Sequence, residues 1–77
     1  MNDHSNHRVL KIAVLVVDAR ATQCTIRRLS ETSATLEIPN TVGIPENFDL
    51  VIDGIRRSCH AVWKSGTEIE VKFEWGI

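Results

Sequence analysis

Arginine is the residue type that carries the most chemical information in this chain. Arg8 precedes the first apolar run, Arg20 falls in an expected loop, Arg27-Arg28 closes a strand-like stretch and Arg56-Arg57 follows a hairpin signal. Neighbouring strand residues point to opposite faces, so one arginine of each adjacent pair can aim at a given site. For Arg56-Arg57 the expected role is protection of a sheet edge against aggregation. Arg8 and Arg28 differ, because each flanks an apolar strand where loops gather into a rim, a position from which planar, bidentate donors can hold an anion. Other chemistry is thinly supplied. Ser30, Asp18 and His60 form a triad only on paper, since neither their spacing nor a glycine elbow supports nucleophilic catalysis, and no enzyme activity is expected. His4 and His7 offer two metal ligands without a third, so no metal or other cofactor is expected.

The elements that position these residues are strands. Eight Val, eight Ile and six Thr among 77 residues stiffen χ1 and favour a pleated backbone. Val9–Val17 is apolar on both faces, as in a strand covered on both sides or closing a barrel. In Thr22–Leu29 the inward set Cys24, Ile26 slips phase to include Leu29, the mark of a bulge or strand end. Ala34–Ile38 and Phe48–Ile52 alternate regularly, and Asp53-Gly54 suits a type I′ turn into Ile55–Trp63, where Cys59, Ala61 and Trp63 share the expected inward face. Lys64–Thr67 supplies another turn before Glu68–Glu74. Loops are expected at 18–21, 30–33 and 39–46. Six short antiparallel strands with tight turns bury one face by curling, so the expected fold is all-β, a small six-stranded antiparallel barrel spanning residues 8–77 behind a polar tail, 1–7.

Composition narrows the function classes. A single small domain with 43% hydrophobic and 25% charged residues is neither disordered nor large enough for a deep catalytic cleft. A net charge of −1 gives no field toward nucleic acid or anionic membrane, and the few aromatics fall mostly at inward positions, so neither is an expected partner. The absence of a signal-like apolar stretch and the two cysteines without metal or redox spacing point to a cytoplasmic protein with Cys24 and Cys59 in the core.

The stretch from Cys24 to Ile38, centred on Arg27-Arg28-Leu29-Ser30-Glu31-Thr32-Ser33-Ala34-Thr35-Leu36, resembles the PilZ domain family. The resemblance continues through Val42–Pro45, Phe48–Ile52, Cys59–Trp63 and Ile69–Phe73, and looks most like the short stand-alone members. It implies a six-stranded barrel that binds cyclic di-GMP through an R-x-x-x-R pair before the first strand and a D/N-x-S-x-x-G turn. Carried over residue by residue, His4 and Arg8 occupy the arginine positions, and Arg28, Ser30 and Ser33 occupy the Asp/Asn, Ser and Gly positions. Arginine has donors and no acceptor for a guanine edge. Ser33 adds a side chain where close approach or a positive φ is implied, and a neutral His4 supplies less charge. Glu70 stands where many such relatives carry glycine. The expectation is a role in cyclic di-GMP signalling with weak or lost nucleotide binding, or alternatively a diverged barrel that binds a protein partner, with Trp75 as an anchor for that partner.

Overall fold

The computed structural model describes residues 8–74. Six strands follow in order: β1 (Arg8–Val17), β2 (Arg20–Leu29), β3 (Ser33–Glu37), β4 (Asn47–Ile52), β5 (Ile55–Lys64) and β6 (Glu68–Phe73). All pairs are antiparallel, in the spatial order β1-β2-β3-β6-β5-β4. The circle closes where β1 meets β4, with Val14 opposite Val51, Leu15 opposite Leu50 and Val16 opposite Asp49. That closure accounts for the apolar run of β1. Ala13 and Leu15 enter the core while Val14 and Val16 are half-buried on the outer face and Ile12 is exposed.

Alternation fills the interior. Cys24 and Ile26, Ala34 and Leu36, Phe48 and Leu50, Cys59 and Ala61, and Ile69, Val71 and Phe73 all point inward and form one cluster. Each fully buried Leu or Ile contributes about 1.5–3 kcal/mol of transfer free energy, and the closed circle leaves no strand without two neighbours. Edge protection is therefore not what Arg56 and Arg57 do. Arg56 Nε donates to Asp49 Oδ2 at 2.7 Å on the outer face, and the Arg57 guanidinium lies 4.0 Å from the centroid of the Phe73 ring.

Turn chemistry sets the ends. Asp53 and Gly54 take φ values of 54° and 81°, as a type I′ turn requires. The first hairpin is tighter than the expected loop: Asp18 adopts φ 55°, only Asp18 and Ala19 lie outside the strands, and Arg20 already pairs with Val17. Between β3 and β4 the chain must cross one mouth of the barrel, because these strands are not neighbours. Ile38 is buried there, the Thr41 hydroxyl donates to Ser65 O, and the Thr41 amide donates to Gly66 O at 3.2 Å, tying the crossing segment to the β5–β6 turn.

Two of the three register shifts among the described residues change which side chains face inward. In β2 the register against β3 shifts between Ile26 and Arg28, which leaves Arg27 unpaired and turns Leu29 toward the core, as the phase slip implied. In β5 the register against β6 shifts between Ala61 and Trp63, and this overturns the expectation of an inward Trp63. With Val62 as the extra residue, Trp63 faces Glu70 and is 52% exposed. Lys64 takes the position opposite Ile69, and its Nζ donates to Ile44 O at 2.6 Å.

Candidate anion-binding site

Of the residues expected to bind the anion, Arg8, Arg28, Ser30 and Ser33 gather where β1 begins, β2 ends and β3 begins. Arg28 and Arg8 occupy directly opposed positions on neighbouring strands, and on its other side Arg28 faces Thr35. Thr35 in turn faces Glu70, so one row crosses four strands from Arg8 to Glu70. A shift between Arg8 and Lys11 in β1 precedes this row. The side chain of Arg8 lies outside what the structure describes, and His4 and Trp75 lie outside the described residues altogether.

Ser30 organises the turn that follows Arg28. Its Oγ accepts the amides of Thr32 at 3.3 Å and Ser33 at 3.1 Å, while the Ser30 amide donates to Ser33 O at 2.9 Å. Ser30 Oγ also lies 3.0 Å from Ser33 Oγ. A short hydroxyl side chain that accepts two downstream amides stabilises such a turn without glycine. Ser33 opens β3 opposite Lys72 with no positive φ, so the backbone cost expected of replacing glycine there does not arise. Both serine hydroxyls are committed to the turn. A ligand meeting them displaces an internal contact.

Arg28, Ser30, Ser33, Thr35 and Glu70 line a shallow cavity of about 170 Å³. Arg28 is exposed and makes no ion pair with another described residue, whereas Arg27 Nη1 is held by Glu37 Oε1 at 2.6 Å. Of these two guanidinium groups, the one without an ion pair among the described residues is thus the one beside the cavity. Glu70 is the residue that the motif positions alone miss. Alternation along β6 places it outward, but its approach to Arg28 depends on the β3–β6 register, which spans about 35 residues of sequence and has no local signal. Its carboxylate opposes a dianionic ligand by like charge.

The other paper constellations are not brought together. Asp18 and Ser30 lie beyond opposite ends of β2, so no triad with His60 exists. The His60 ring instead shares a 3.0 Å hydrogen bond with Asn47 Oδ1. Cys24 and Cys59 are free and buried, and burial pushes their thiols up to about 11 and about 12. Among the described residues no helix is long and apolar enough to cross a membrane.

Compared with family models and with curated proteins, the chain matches none.

Proposed function

We propose that the protein is a PilZ-like barrel acting in cyclic di-GMP signalling in the cytoplasm, with a direct hold on the nucleotide that is weak or lost. The observation that carries this reading is the opposed pair Arg8 and Arg28 beside the Ser30 turn. Like charges at directly opposed strand positions destabilise the pairing, and a bound phosphate removes that cost by taking donors from both arginines. The closed six-stranded barrel is the scaffold the resemblance implies. Weakness follows from chemistry: Arg28 offers no acceptor to a guanine edge, the two serine hydroxyls are engaged with each other, and Glu70 adds a negative charge to the same cavity.

An amide-resolved titration with cyclic di-GMP tests this. Shifts are expected at Arg28, Ser30, Ser33 and Thr35, with a Kd weaker than about 10 μM, near −7 kcal/mol. Sub-micromolar affinity overturns the weak reading, and shifts centred elsewhere overturn the site. Restoring His4→Arg, Arg28→Asn and Ser33→Gly together, with Glu70→Gly to remove the carboxylate, should tighten binding about tenfold or more, since each charge-assisted contact is worth roughly 1.5–3 kcal/mol. A folded variant with no gain favours the second reading, a protein-binding adaptor without nucleotide. The observation behind that alternative is Trp63 at 52% and Val62 at 48% exposure, adjacent apolar residues on the outer face, Trp63 turned there by the β5 bulge.

A further inference from the structure

The opposite end of β2 carries a second cavity. Its floor is Val17 and Ile44, both half-buried against the core, with Leu15 buried behind them. Its volume is about 230 Å³. Arg20, at the mouth, is the only charged residue among the described ones that line it, is exposed, and makes no ion pair with another described residue. Eight residues of strand, roughly 26 Å at about 3.3 Å per residue, separate Arg20 from Arg28, so this cavity is independent of the site above.

The far wall is preformed. Asn40 Oδ1 accepts the Val42 amide at 2.9 Å, the Ile44 amide donates to Thr41 O at 3.3 Å, and Gly43 between them takes φ 87°. This is a fixed turn, and the bonds of Thr41 to the β5–β6 turn anchor it. A wall already ordered costs little to organise on binding. On the rim Val42 is 84% exposed, an apolar side chain that an occupant would cover.

We propose that this cavity binds a small carboxylate with an apolar tail. The apolar floor selects the tail and the Arg20 fork selects the head, since a guanidinium matches a carboxylate with two parallel donors and repels an amine. Size sets the class. A cavity of about 150 Å³ admits benzene and drug-sized ligands occupy about 300 Å³ or more, so 230 Å³ suits a tail of about six carbons.

Sodium hexanoate, 1-hexanol and hexylamine, titrated separately into the protein and followed by amide shifts, test the proposal. Hexanoate is expected to move the amides of Val17, Thr22 and Gly43 and to bind at least tenfold more tightly than hexanol, with hexylamine weakest. Arg20→Gln, an exposed substitution at a strand end, should bring hexanoate down to the level of hexanol, and Arg20→Lys should retain part of the preference. The proposal is overturned if hexanoate leaves those amides unmoved, if hexanol binds equally well, if Arg20→Gln changes nothing, or if the shifts centre on Arg28 and Ser33.

Discussion

Two of the three register shifts among the described residues, the bulges of β2 and β5, each insert one extra residue and have opposite effects on what the barrel shows to solvent. At Arg27 the bulge rescues an apolar residue for the core. Leu29 turns inward, and two arginines are left outside in succession, one tied to Glu37 and the other, beside a cavity, with no ion pair among the described residues. At Val62 the bulge expels an apolar residue, so that Trp63 joins Val62 outside and Lys64 reaches across the mouth instead. A bulge is therefore not only a correction of twist. Its position decides whether the surface gains charge or apolar area, and in this protein it does the first beside the Arg28 cavity and the second at the Val62–Trp63 patch.

The largest expected effect tests the second bulge directly. Phe73 is buried and Trp63 is half-exposed, so Phe73→Ala should cost about 3–5 kcal/mol while Trp63→Ala costs about 1 kcal/mol or less. Urea unfolding of the two variants measures both. Comparable losses would mean that Trp63 is a core residue and that β5 runs without a bulge.

That contrast also explains what could be read from the sequence. The strand order of hairpins, the Asp53-Gly54 turn and the inward sets of β3, β4 and β6 follow from alternation and turn residues within a few positions of each other. The β2 bulge was legible because Arg27 and Arg28 are charged, which makes the slip from Ile26 to Leu29 visible. The β5 bulge was hidden because Ala61, Val62 and Trp63 are all apolar, so a regular strand and a bulged one give the same pattern. The site divides in the same way. Ser30 as a turn former was legible from local chemistry, whereas the opposition of Arg8 to Arg28 and the approach of Glu70 depend on registers between distant strands.

Each bulge also follows a buried thiol by three residues, Cys24 before Arg27 and Cys59 before Val62. Desolvation raises both thiols from an ordinary value of 9.0, to about 11 and about 12. The folded state thus holds these protons more tightly than the unfolded chain does, so the associated stability is fully present below pH 9 and is lost as pH rises from there through about 11 and 12. Urea midpoints should be level with respect to these groups up to pH 9 and fall above it. Replacing both cysteines with alanine should flatten that fall, and a fall that persists unchanged would place its origin elsewhere. At pH 8 neither thiol should react with a thiol reagent until the protein unfolds.

A smaller effect belongs to the turn after the first bulge. Ser30→Ala removes the acceptor of the Thr32 and Ser33 amides. The loss should be about 1 kcal/mol, comparable with that of a helix-capping hydroxyl, and Ser30→Asn should recover most of it because its side-chain oxygen can accept the same amides. If Ser30→Ala is neutral, the turn is held by the backbone bond between Ser30 and Ser33 alone.

The smallest effect asks why the bulged residue of β2 is an arginine. The Arg27–Glu37 pair has good geometry, 2.6 Å between Nη1 and Oε1, but both side chains are 43% exposed. Solvent screens such a pair, and holding two long side chains in one arrangement costs entropy, so a double-mutant cycle with Arg27→Ala and Glu37→Ala should give a coupling of about 0.2–1 kcal/mol. The coupling should shrink as salt is raised toward 1 M, where the screening length falls to about 3 Å. A coupling within error of zero would mean that Arg27 serves by its place in the chain, as the residue that lets Leu29 turn inward, and that any polar residue serves there equally. A coupling well above 1 kcal/mol would instead make the ion pair part of what fixes the bulge, and with it the direction in which Arg28 leaves the strand.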